Sequence, residues 1–155
     1  MRHQFEVAAV GNRIADHWKG RSIDRHRLTK ALLLHDMGNI IKFKRPFLGE
    51  LEQNAAFWEQ VQQEFVQKYG QDVHTATIAI LTELELDDVV HVVNEMKSVW
   101  AFGFDTVSEL ARIGEFADCC VTPDGIVGFA IRMNDLKKRY FFDGSKDVLK
   151  KKKKN

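Results

Sequence analysis

Two prolines and two cysteines are all that 155 residues contain. So few prolines, with short connections between apolar-periodic stretches, leave little room for a second domain. The cysteines are adjacent, Cys119 and Cys120. Neighbouring cysteines make a strained disulfide, so a disulfide framework is excluded. They read instead as small apolar core residues in a reducing compartment. No apolar stretch is long enough for a secretory leader or a membrane span. A soluble, cytoplasmic protein with no membrane partner is expected. There is no internal repeat and no excess of either charge sign, but the balance is deceptive. Five of the positive charges are Lys150 to Lys154, and without them the net charge of +1 becomes −4. The body is mildly acidic, with a basic block at its end.

What remains is helical periodicity. Helices are expected near 3–19, 24–36, 54–69, 72–85, 87–99, 106–120 and 132–140, punctuated by Gly20, Gly38, Gly70, Gly103 and Pro123-Asp124-Gly125. Asp24, Asn54, Asp72 and Thr106 are candidate N-caps. Phe43 to Gly49 read as the longest loop and the natural place for a substrate lid or rim. The prediction is one all-α domain of six to seven helices over residues 1–149, large enough for a proper core.

One helix carries the strongest chemical signal. Leu28, Ala31, Leu32 and His35 fall at i, i+3, i+4 and i+7, so His35 sits on the core-facing stripe. Asp36 follows it. A buried carboxylate without a partner is costly, and a divalent metal with the imidazole as co-ligand would supply the partner. His3 starts a second stripe with Val7, Val10 and Ile14. Asp118 lies far downstream, with Ala111 and Gly114 on its face, a narrow strip that would admit another backbone.

The order His3, His35-Asp36, Asp118 resembles the HD-domain superfamily of metal-dependent phosphohydrolases, whose site is H…HD…D. Leu32-Leu33-Leu34-His35-Asp36-Met37-Gly38 looks like the family's LLHD(I/M)G signature. The opening 2–10 looks like its first ligand helix. Residues 115–118 and 121–127, with the Arg132…Arg139-Tyr140 helix, look like its last-ligand region. The resemblance implies one divalent ion (Mn, Fe, Co, Ni, Zn or Mg) held by His3, His35, Asp36 and Asp118, with Asp36 also serving catalysis. It implies hydrolysis of a small phosphomonoester, a nucleoside monophosphate being the best guess. The rivals are a metal-retaining nucleotide-binding or regulatory module without turnover, and a dinuclear phosphodiesterase. A homodimer is compatible with this reading. His3 lies close to Met1, whereas relatives carry an ordered segment before this ligand. A start upstream of Met1, or weak metal binding, is therefore expected.

Further residues follow from the same comparison. His74, with Thr77, Ile78 and Leu81 at helical spacing, points inward as a phosphate contact, a general acid or a group beside the ligands. Relatives with two metals, such as the HD-GYP phosphodiesterases, carry more histidines downstream. Here Met96 stands at such a place and the GYP signature is missing, which favours one metal. His91 shares a polar face with Asn94, Glu95 and Ser98 and is expected at the surface, as is His26. His17 closes its helix in a structural role. Asn39 stands where many relatives have lysine; it can hydrogen-bond phosphate or water but cannot transfer a proton at neutral pH. Lys42 and Arg13 are candidate phosphate contacts. Glu115, three residues before Asp118, could orient a ligand or take a proton. Arg132 and Arg139 are expected to brace the last helix. Trp18, Phe57, Trp58, Trp100 and Phe102 are expected to pack the core or seal the pocket rim.

Lys150 to Lys154 repel one another and are expected to be disordered, with no specific nucleic-acid partner. Truncation after Val148 should leave fold and small-substrate turnover unchanged and abolish weak, salt-sensitive binding to nucleic acid or acidic lipid. Turnover at low salt, side by side with the full chain, checks this. A large drop with a mononucleotide would make the tail a phosphate clamp.

Overall fold

The computed structural model describes residues 2–43, 53–122 and 124–138. Among them are seven α-helices: α1 Arg2–Asp16, α2 Arg25–Leu34, α3 Ala55–Tyr69, α4 Val73–Glu83, α5 Asp87–Phe102, α6 Glu109–Asp118 and α7 Phe129–Leu136. The all-α expectation holds, with 3₁₀ segments that include Met37–Lys42 and Phe104–Thr106. One addition was not foreseen. Val121–Thr122 and Gly125–Ile126 pair as a short antiparallel ribbon, β1 and β2, in the register Val121 to Ile126 and Thr122 to Gly125. Gly125 holds a φ of 132°, which suits glycine.

Caps and stripes explain most boundaries. Asp24 and Asp72 accept from the backbone N–H of Arg27 and Thr75, as N-caps should. Asn54 makes no such bond. Ser108, not Thr106, caps α6, because the chain first turns through the 3₁₀ segment. Helix α7 begins at Phe129 rather than Arg132. Residues 44–49 of the expected lid loop, Arg139-Tyr140 and the lysine tail lie outside the described residues.

The stripe Leu28, Ala31, Leu32 is fully buried, together with Val7, Leu81, Val89, Val92, Ala111 and Ala117. Val10 and Ile14 pack against this cluster. Helix α1 lies on α2 and α6, and α5 packs on α2, α4 and α6. The small face of α6 does come close to a neighbour, but to side chains rather than a backbone: a Cβ on Gly114 would press on Met96 and Leu32. On α1, Gly11 faces the same Leu32. Both cysteines are buried and free. Of the aromatics expected in the core or at the pocket rim, three do not enter the core. Phe57, Trp100 and Phe102 are exposed, whereas Trp18 and Trp58 are partly buried. Arg132 does brace α7, through Asp135 at 3.0 Å.

The 3₁₀ segment Met37–Lys42 is pinned from two sides. The Gln62 amide on α3 donates to the carbonyls of Ile40 (2.7 Å) and Phe43 (3.0 Å). From α4, Thr77 accepts the Gly38 N–H at 2.9 Å and donates to the Val73 carbonyl. Helix α4 can approach only because residue 38 has no side chain: a Cβ there would overlap the Val73 carbonyl oxygen. Glycine-to-alanine changes ordinarily favour a helix. Gly38→Ala should instead destabilise by about 1–3 kcal/mol, since backbone cannot rotate out of the way. Gly128→Ala, with open space around it, should stay within about 0.5 kcal/mol of wild type. Denaturant midpoints for the two variants check the contrast.

Candidate metal centre

Three helix ends meet at one point. The first turn of α1 carries His3, the chain leaving α2 carries His35 and Asp36, and the last residue of α6 is Asp118. His3, His35 and Asp118 each offer one ligand atom, and these atoms lie within 4.8 Å of one another. Nε2 of His3 is 2.9 Å from Oδ1 of Asp118. Nε2 of His35 stands 3.5 Å from the same oxygen and 3.7 Å from Oδ2 of Asp36. Oδ2 of Asp36 is also 3.8 Å from Nε2 of His3.

The orientation of His35 is set by its backbone. Its Nδ1 lies 2.8 Å from the Leu32 carbonyl oxygen, which can only accept, so Nδ1 carries the proton. Nε2 is left facing the cluster, buried and without a hydrogen-bond partner. Side-chain exposure is 8% for His35, against 27% for His3 and 31% for Asp118.

Burial and charge oppose each other here. Burial pulls the His35 imidazole down, but the carboxylates of Asp118 and Asp36 outweigh it and push it up to about 9. Burial pushes Asp118 up, yet the bond to His3 and the nearby His35 and His3 imidazoles hold it below the ordinary carboxylate range. A divalent cation would take over the role of the imidazole protons. Imidazole nitrogen and carboxylate oxygen suit such an ion, and an orphaned, correctly oriented Nε2 fits one.

The HD domain family matches residues 1–120. The chain belongs to the HD domain family. No curated protein and no solved structure matches it. HD domains bind divalent metals, and the family is one of metal-dependent phosphohydrolases.

Beside this His–Asp cluster of the HD domain opens a cleft of about 320 Å³. His35, Asp36, Glu115 and Asp118 line it on one side, and Asp72, His74 and Thr77 of the α4 region on another. Val93, Met96 and Lys97 of α5 complete the lining. His74 thus reaches the site, with its Nε2 2.9 Å from Oδ1 of Asn94. Met96 is buried in the wall. His91 is exposed and pairs with Glu95 at 3.6 Å; His26 is exposed as well. The His17 ring caps the end of α1, Nδ1 lying 3.0 Å from the Arg13 carbonyl oxygen.

Arg13, Asn39 and Lys42 do not line the cleft. Arg13 stands ten residues beyond His3, roughly 15 Å along α1, and is exposed. Lys42 follows a 3₁₀ path, which rises faster than an α-helix and carries it to the surface. Asn39 is half-buried, and its Oδ1 is buried without a partner. Lys97 escaped the sequence reading. The available signal was its place beside Met96 and four residues after Val93, as the cation on that face.

Glu115 is buried, and its carboxylate accepts from the indole N–H of Trp100. Burial pushes it up to about 7; the Trp100 bond opposes this and the Asp118 charge adds to it. Without metal, folded Glu115 therefore holds a proton between pH 4.5 and about 7 that the unfolded chain releases. Stability should be full below that window and fall as pH rises through it. Glu115→Gln keeps an acceptor for Trp100 and removes the charge, so it should flatten this fall. Its advantage over wild type should grow from about pH 4.5 upward, level off above about pH 7 and reach a few kcal/mol at most. Chelator-treated protein melted across pH 4 to 9 checks the sign.

Proposed function

We propose that this chain is a mononuclear phosphohydrolase that cleaves a small phosphomonoester such as a nucleoside monophosphate. The observation that carries the reading is the convergence of His3, His35 and Asp118 beside a cleft that His35 and Asp118 line, with Nε2 of His35 buried and unpartnered. Asp36 is the fourth ligand. When bound, a divalent ion supplies Lewis acidity, which acidifies water and polarises a phosphoryl group.

The chain supplies the rest. The Leu32 carbonyl and the Asp118 carboxylate hold the two imidazoles in place, so the donor set is prepared before anything binds. His74 stands across the cleft, tethered to Asn94, where it can pass a proton to or from the substrate oxygen. Glu115 sits one helical turn before Asp118 and can accept a proton near neutral pH. Asn39, with its buried Oδ1 lacking a protein partner, offers an acceptor for ordered water next to the His35-Asp36 turn. Met96, in the position where a dinuclear relative would bring a further histidine, supports a single ion.

Hydrolysis of a nucleoside monophosphate panel with each of Mn, Fe, Co, Ni, Zn and Mg tests the reading. His35→Ala and Asp118→Ala should each lose the metal by elemental analysis and forfeit the rise in melting temperature that metal confers. His74→Ala should keep about one ion per chain and turn over roughly 100-fold more slowly. Full occupancy in the first two variants, or a metal-free third, would reassign the ligands.

A further inference from the structure

The cleft is acidic. Asp36, Asp72, Glu115 and Asp118 line it, and among its described lining residues Lys97 is the single lysine or arginine. Lys97 leans toward Asp72 at 4.0 Å, a long and solvent-exposed pairing that a phosphate could readily displace. An anion entering such a cleft needs both the metal and this lysine to offset the carboxylates. A second phosphate on the substrate would find no cation left among these residues.

Trp100 follows Lys97 by one helical turn on α5, roughly 4.5 Å along the axis. It is 58% exposed, a large apolar area to leave in water. Yet the ring is fixed, because its N–H donates to Glu115, which lines the cleft one turn before Asp118. A tethered indole with open surface, at the edge of a phosphate-sized polar cleft, is a stacking platform.

On the phosphomonoesterase reading, we propose that Lys97 and Trp100 form a selectivity subsite. Lys97 binds the single phosphate, and Trp100 stacks an uncharged aromatic or heteroaromatic ring on the leaving-group side. The substrate class is then a monophosphate ester that carries a ring, rather than an alkyl phosphate or a polyphosphate.

The test compares adenosine 5′-monophosphate with glycerol 3-phosphate on metal-loaded full chain. Trp100→Ala should lower the ratio of their kcat/KM values by about tenfold, the scale of one lost base–aromatic stack. Trp100→Phe keeps a stacking ring but cannot hold Glu115, and should retain most of the ratio. Lys97→Gln should raise KM for both esters alike, with rescue by Lys97→Arg. An unchanged ratio in Trp100→Ala would overturn the proposal. So would an equal loss in Trp100→Phe, which would make Trp100 a support for Glu115 only. A change confined to self-association would mark the ring as a contact between copies and equally sink the subsite. If the wild type hydrolyses neither ester, the hydrolase reading fails. Calorimetric titration with adenosine 5′-monophosphate and with inorganic phosphate then decides the subsite: a nucleotide preference lost in Trp100→Ala supports it, and no preference in the wild type overturns it.

Discussion

Leu32 between two glycines is the contact on which the rest depends. Its side chain is fully buried where α1, α2 and α6 meet, and it fills the notches left by Gly11 and Gly114. Interiors are packed tightly enough that one extra methyl group is felt. Any side chain at either glycine would press on Leu32, and each of those helices has an end at or beside one of the clustered residues His3, His35 and Asp118. The same residue also acts through its backbone, because its carbonyl fixes the His35 ring. Core packing and the geometry of the His–Asp cluster are therefore two consequences of one position.

The centre built this way is electrostatically poised rather than relaxed. Carboxylates and imidazoles are held within a few ångströms at partial burial, so the metal-free fold must keep protons on His35 that it would shed in water. Asp118 is held ionised by the same neighbours. Nearby Glu115 feels the opposite balance, since the Trp100 indole, His35 and the Cys119 thiol offset its burial only in part. Three groups within one cleft are thus driven in different directions by how deeply each lies and by what faces it. Divergent shifts of this kind within one cleft are the pattern that functional sites favour.

Support for the site comes from elements that carry none of the clustered residues. The 3₁₀ segment Met37–Lys42 is clamped by Gln62 of α3 and Thr77 of α4. It anchors the chain immediately after Asp36, so the His35-Asp36 turn is fixed at both ends. Helix α5 then closes the cleft with Met96 and Lys97 and brings Trp100 to Glu115. The wall thus differs in character from the His–Asp side: apolar, with one cation, ending in an aromatic ring.

Periodicity and local spacing made the helices legible from the sequence, along with the burial of Leu28, Ala31 and Leu32 and the motif order that marks an HD domain. Each of these is a property of one helix at a time, and the 3.6-residue repeat carries it. The caps Asp24 and Asp72 were readable for the same reason, while Ser108 was missed because a 3₁₀ turn shifted the start of α6. What only the tertiary structure decided was which residues share the cleft. Arg13 and Lys42 have suitable chemistry, yet the rise of α1 and the 3₁₀ path carry them elsewhere. Lys97 and the Trp100–Glu115 bond enter through α5 against α6, a pairing between segments that no local pattern encodes. The exposure of Trp100 belongs here too. An aromatic residue in a sequence suggests a core, and only packing against neighbours far along the chain decides whether there is room for it.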